Sequence, residues 1–247
     1  MYYASADVQH AFYQHRLPKW LSPYFSLAPV RAGELGIRRL DGAEVSSDVR
    51  LFPQLQVVPM GWSWGVHLIQ EAHSHILASS ALLPSTRCAV DFQPPPLPGP
   101  TPAHALYIDN LCIFGTCADA VDAALEAGVG AWKSAGLESH EIVRSNQVAQ
   151  NLGEEQRGGP PSSGITAKRC ALLRAGIRWL LDHRGACTSA EMGHLVGHLT
   201  FALLFRRESL ACLRAVYDWI ARDYTVETPL WDSVRRELGI AVGLLVL

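Results

Sequence analysis

Hydrophobic positions recur with strand spacing over residues 2–8 (YYASADV), a run that leads into Asp7. Residues 11–16 then form a short amphipathic segment halted by Pro18. Tyr24–Val30 and Gln54–Val58 predict further strands, with turns at Gly33, Gly36, Asp41 and Gly42 between them. A helix is predicted over Trp64–Ser79, where Leu68, Ala72 and Ile76 share one face, Pro59 and Gly61 precede it and Pro84 ends it. Seven prolines in residues 84–103 predict a surface insertion, partly extended as polyproline II. In His104–Gly115, two apolar, β-rich runs flank Asp109-Asn110, residue types that tolerate the left-handed backbone of a two-residue hairpin turn. A helix over Asp119–Ala135 follows, with Val121, Leu125, Val129 and Trp132 on one face.

Residues 153–165 (GEEQRGGPPSSGI) have the composition of a linker. The remainder reads as helical: Ala167–Leu181, then Glu191–Phe205 opened by a Thr188-x-x-Glu191 capping box, then Glu208–Arg222, then a helix after Pro229. The pattern is an α+β chain: an α/β part over residues 1–160, a helical part over 161–225, and a C-terminal helix over 226–247. The apolar run Ile240–Leu247 reads as a helix cut short.

Composition adds exclusions. At 247 residues, 49% hydrophobic and 18% charged, the chain can bury a core, and disorder over most of its length is excluded. The net charge of −2 excludes a uniformly basic nucleic-acid binder but not a local basic face. Residues 104–160 carry three basic and eight acidic side chains, a net −5, whereas 165–225 carry nine and five, a net +4. Such a split suits metal ions on one part and a phosphate backbone on the other, although solvated surface charge is the simpler account of it. Six cysteines form no Cys-x-x-Cys pair, which excludes a zinc ribbon or dithiol redox motif. Reduced thiols and the lack of a basic-then-apolar leader read as an intracellular protein, nuclear or cytoplasmic. No apolar stretch approaches the roughly 20 residues of a membrane span, so no membrane partner is expected. His194 and His198, four apart on one helix, permit zinc but have no evident third ligand.

The candidate chemistry lies in two carboxylates. Asp7 ends a strand and Asp109 sits at a hairpin tip. Carboxylates on neighbouring strand ends can share divalent ions about 3.5–4 Å apart, the geometry of two-metal phosphoryl transfer. Magnesium suits such a site, because it takes few carboxylate oxygens and leaves positions for substrate phosphates.

The order and context of these residues resemble a known family. Asp7-Val8-Gln9-His10-Ala11-Phe12-Tyr13-Gln14 resembles the first palm motif of retrotransposon reverse transcriptases. Pro59-Met60-Gly61-Trp62-Ser63, with Gln70 beyond it, resembles the second, and Tyr107-Ile108-Asp109-Asn110 resembles the Tyr-x-Asp-Asp hairpin. Gly136-Leu137 and Leu152-Gly153 resemble the fourth and fifth motifs, and Gly197-His198-Leu199 to Tyr217 the helical thumb. The resemblance implies a right-hand polymerase palm, an antiparallel sheet with helices and a catalytic hairpin, followed by a helical thumb bundle, with the fingers missing. It implies RNA-directed DNA synthesis from deoxynucleoside triphosphates on an RNA or DNA template-primer, using magnesium, with manganese as its substitute. Asp7, Val8 (through its carbonyl), Asp109 and Asn110 would hold metal. Phe12 would exclude a 2′-hydroxyl, Gly61 and Gln70 would contact nucleotide or template, and Tyr107 the primer end. Arg206 and Arg207 would touch the phosphate backbone, and His140 would donate a proton to pyrophosphate. From the residues alone, Phe12 is equally a core aromatic, Gly61 a turn glycine and Gln70 a solvated helix residue. His140 reads more simply as a loop histidine, and the arginine pair equally as solvated charge. Asn110 departs from the family's second Asp, and a neutral amide oxygen is the weaker magnesium ligand. With the fingers, RNase H and integrase parts absent, the alternative is an inactive fragment that retains at most nucleic-acid binding.

Overall fold

The computed structural model describes residues 1–97, 99–151 and 153–245. The chain forms two compact units, Met1–Asn146 and Gln147–Leu247.

The first unit is built on β1 (Tyr2–Val8), followed by a single helical turn, α1 (Ala11–Gln14), and the long helix α2 (Ser63–Ala78). Then come β2 (Cys88–Ala89), β3 (Ala103–Tyr107), β4 (Asn110–Gly115), α3 (Ala118–Ser134) and β5 (Ser139–Asn146). The strands form one five-stranded sheet in the order β2-β3-β4-β1-β5. It is mixed rather than purely antiparallel: the edge strand β2 runs parallel to β3, and all other pairs are antiparallel. Strand parity explains the layering. Ala4, Ala6 and Val8 of β1 lie opposite or beside Ile113 and Leu111 of β4 and are buried with Ile69 and Leu77 of α2 and Val121, Leu125 and Trp132 of α3. The alternate residues, Ser5 and Asp7, therefore face away from the helices. Helix α3 lies close on the sheet because Gly128 has no side chain: a Cβ there would stand 2.7 Å from Leu111.

The stripe on α2 differs from the one predicted. The buried residues are Gly65, Ile69, His73 and Leu77, one position on from Leu68, Ala72 and Ile76. The strands expected at Tyr24–Val30 and Gln54–Val58 are absent as continuous elements. That region holds a 3₁₀ turn at Ser22–Phe25, two-residue strands such as Val30–Arg31 with Arg50–Leu51, and bridges at Arg16–Val57 and Ser26–Gln54. Pro23, Pro29 and Pro53 remove ladder donors there. Tyr24 and Leu27 stay exposed, with no opposing sheet to cover them.

The second unit opens with β6 (Val148–Asn151), β7 (Glu154–Gly158) and β8 (Pro161–Ile165), a three-stranded antiparallel sheet where a linker was expected. Polar residues supply most of these strands, so no apolar alternation marks them, and the Arg157–Glu155 ion pair at 2.6 Å lies on β7 itself. Leu152, quoted for the fifth motif, lies outside the described residues, as do Val246 and Leu247. The helices are α4 (Ala167–Trp179), α5 (Ser189–Leu203), α6 (Arg214–Ile220) and α7 (Asp232–Leu244). The capping box at Thr188 and Glu191 is formed as the sequence predicts. The helix expected over Glu208–Arg222 is divided: a 3₁₀ segment over Leu204–Leu213, bent at Arg206, precedes α6. Met192, Leu199, Leu213, Trp219, Val234 and Leu238 form the core of this unit.

Candidate active site

β1 ends between β4 and β5, and the pairing fixes what stands beside Asp7. In register, Asp7 faces Asn110 on β4 and His140 on β5. All three belong to the sheet face that the helices leave uncovered. The Asn110 amide Nδ2 donates to Asp7 Oδ2 across 3.4 Å, and His140 Nε2 lies 3.1 Å from Asp7 Oδ1. The backbone N–H of Val8 donates to the carbonyl of Asp109 at 2.9 Å, which ties the hairpin tip to the end of β1.

The hairpin turn is not built as the sequence implies. Its two central residues are Ile108 and Asp109, since Tyr107 pairs with Asn110. The left-handed residue is Ile108, at φ 57°, and Asn110 is the first residue of a strand. A β-branched residue is strained in this region, so its surroundings must hold it there. Two side chains of α2 do so. Gln70 Oε1 accepts from the Ile108 N–H at 2.6 Å while its Nε2 donates to the Leu106 carbonyl at 3.2 Å. His73 Nδ1 donates to the Ile108 carbonyl at 2.7 Å. His73 is fully buried, its ring 5.0 Å from that of His15 and 5.6 Å from that of Trp132. Burial pushes its pKa down to about 4, with a smaller contribution from His15, against the opposing pull of the Ile108 bond. The ring is therefore neutral, with its proton on Nδ1.

Gln70 thus spends both ends of its amide on the backbone of the hairpin. His73 is not among the candidate site residues read from the sequence, since His67, His73 and His75 do not share a helix face as a set; its signal is a polar residue inside an otherwise apolar i, i+4, i+8 stripe. Phe12 is half-buried against the first core, and a Cβ at Gly65 would stand 3.4 Å from its ring. Gly61 has φ 95° with open space around it, a backbone that favours glycine. Tyr107 is exposed. Arg206 and Arg207 are exposed residues of the second unit, at the bend after α5. His194 and His198 remain on α5, and Arg169 Nη2 lies 3.2 Å from His198 Nδ1.

The carboxyl of Asp109 is held above its usual range, first by burial and then by the charge of Asp7, with its own backbone and His140 opposing. Asn110 Oδ1 is buried without a hydrogen-bond partner. Among the described residues no group of three or more His, Cys, Asp or Glu side chains is arranged to hold a metal ion. The available donors are two carboxylates and an amide oxygen, all hard oxygens. They fit magnesium, which keeps waters and substrate phosphates on its other positions. They do not fit a closed structural site.

No family model matches this sequence, and no curated protein matches it. Solved structures do match. The foamy viral protease-reverse transcriptase in complex with RNA/DNA hybrid has a TM-score of 0.66 at 13% identity, covering 99% of this chain and 27% of that one. The fold is reverse-transcriptase-like. Two further structures of the foamy viral protease-reverse transcriptase agree. One, described as dRH, is in complex with double-stranded DNA, with a TM-score of 0.63 and 14% identity over 99% of this chain and 35% of that one. The other, also with double-stranded DNA, has a TM-score of 0.62 and 14% identity over 99% and 42%. The chain spans between about a quarter and two fifths of the length of these reverse-transcriptase chains. No described helix is long and apolar enough to cross a membrane.

Proposed function

We propose that this chain carries the palm and thumb of a retrotransposon-type RNA-directed DNA polymerase, acting on an RNA or DNA template-primer and deoxynucleoside triphosphates. The observation that carries the reading is the pairing of Asp7 with Asn110, the residue next to Asp109, on the open face of a reverse-transcriptase-like sheet, with the Asn110 oxygen buried and unpartnered. Asp7, Asp109, Asn110 and the Val8 carbonyl are the proposed ligands of magnesium or manganese. A bound ion would supply Lewis acidity, favouring ionisation of the attacking 3′-hydroxyl and balancing charge on the leaving pyrophosphate.

The remaining work falls to side chains. Phe12, half-buried against the first core, is the proposed barrier to a 2′-hydroxyl. Gly61 leaves its surroundings open to a nucleotide. Tyr107, exposed beside Asn110, is the proposed seat of the primer end. Arg206 and Arg207 are the proposed phosphate contacts of the thumb. His140 is the proposed proton donor to pyrophosphate. Arg144, four residues further along β5, is the other basic side chain of this strand and is engaged at 2.8 Å with Glu126.

A second reading, a fragment that binds nucleic acid without synthesis, draws on Asp7 itself, whose two oxygens already have protein partners. Primer extension on a primed RNA template separates the two. Synthesis in magnesium or manganese that is lost in Asp109→Ala supports the polymerase. Salt-sensitive binding without synthesis in either metal supports the fragment.

A further inference from the structure

Between β2 and β3 lies a segment that the polymerase reading does not use. Residues 90–102 include six prolines and a single charge, Asp91. From Gln93 to Leu97 every residue is a proline, precedes a proline, or both. Proline fixes φ near −65°, and the residue before a proline is driven to the extended region. Pro94, Pro95 and Pro96 also lack the N–H that a strand or helix would need. Local stereochemistry therefore leaves polyproline II as the conformation of this stretch.

The structure presents this stretch outward. Pro94–Leu97 carry no helix or strand, and Phe92 and Leu97 are 106% and 81% exposed. The loop is nevertheless stapled. The Arg87 guanidinium donates to the carbonyls of Thr101 at 2.7 Å, Leu97 at 2.9 Å and Pro102 at 3.4 Å. At its base, Cys88 and Ala89 pair with His104 and Ala105. An exposed apolar stretch whose ends are already fixed loses less freedom on binding than a free peptide.

We infer that Gln93–Leu97 is a docking ligand for a protein module with an aromatic-lined polyproline groove, of the kind found in SH3, WW and EVH1 domains. Three residues per turn place Pro94 and Leu97 on one edge of the helix, an apolar ridge suited to slots between aromatic rings. The proline carbonyls remain as acceptors for indole or phenol donors in such a groove. The near absence of charge selects a groove that reads shape rather than ion pairs.

The test uses the whole chain against a panel of purified SH3, WW and EVH1 domains, measured by surface plasmon resonance. At least one domain should bind, and Pro94→Ala/Leu97→Ala, which removes the ridge, should weaken that binding at least tenfold while leaving the melting temperature unchanged. Arg87→Ala should weaken it severalfold by freeing the loop, toward the affinity of an isolated 90–102 peptide. The inference is overturned if no domain in the panel binds. Binding unaffected by the double substitution overturns it too, as does binding to the peptide but not to the folded chain.

Discussion

The Nδ1 nitrogen of His73 donates a 2.7 Å hydrogen bond to the carbonyl of Ile108, the residue immediately before Asp109. Ile108 holds a positive φ that its branched side chain disfavours, so this bond helps fix the direction in which Asp109 leaves the turn. His73→Leu removes the donor and leaves a carbonyl short of a partner, at a cost of about 1–3 kcal/mol in urea unfolding. In a polymerase assay kcat should fall with little change in KM for nucleotide, because His73 acts through the backbone. His73→Asn, whose amide can stand in for Nδ1–H, should recover most of the loss. If His73 only filled space, leucine would serve as well as asparagine.

The Gln70 amide engages the same turn from one helical turn away. Gln70→Leu strands the Ile108 N–H and the Leu106 carbonyl, costing on the order of 2–4 kcal/mol for the two unpaired groups. Gln70→Glu keeps the acceptor for Ile108 and loses only the donor, so its cost should be smaller. Steady-state kinetics give the sharper result. A bracing role predicts a lower kcat with KM preserved in both variants. A direct contact with template or nucleotide predicts a raised KM.

Two buried histidines make stability depend on pH. Burial holds His73 and His104 at about 4, in the case of His104 with help from the Arg87 charge. Their unfolded values lie near 6.5. Between these limits the unfolded chain binds more protons, so stability is fully present above about pH 6.5 and is lost as pH falls toward 4. At about 1.4 kcal/mol per pH unit, the loss is on the order of 3 kcal/mol for each group. Urea midpoints taken between pH 7 and pH 4 should fall. The slope should lessen in His104→Leu, even though that variant has a different midpoint at neutral pH.

What the sequence made legible and what it hid have separate physical causes. Strong local chemistry read through: the capping box at Thr188, the helix carrying Val121, Leu125 and Trp132, and the strand leading to Asp7. Asp7 and Asp109 read as candidates from the sequence, and antiparallel pairing sets Asp7 opposite Asn110, the residue that follows Asp109. The hidden features were those where tertiary context overrides type. The core stripe of α2 runs through His73, and a polar residue steered the pattern one position astray. The left-handed turn residue is Ile108, which no propensity would choose, because hydrogen bonds from a distant helix hold it. The sheet at 148–165 has strands polar enough to pass for a linker.

The neutral residue at position 110 offers the most direct probe of the proposed metal site. Asn110 pairs with Asp7, and its amide donates to Asp7 Oδ2. Asn110→Asp replaces that donor with a further charge near Asp7 and Asp109, the second of which already has its pKa raised by burial and then by the Asp7 charge. Without divalent ions the variant should be less stable by about 1–2 kcal/mol, since like charges at a shared site oppose ionisation. Magnesium should reverse the deficit, because an ion that binds only the folded chain stabilises it in proportion to the logarithm of its concentration over Kd. Thermal melts across a magnesium series should therefore cross: wild type the more stable in chelator, the variant gaining more per decade of ion. Curves that stay parallel would remove position 110 from the metal site, and with it the strongest structural argument that Asp7 and Asp109 hold a cation between them.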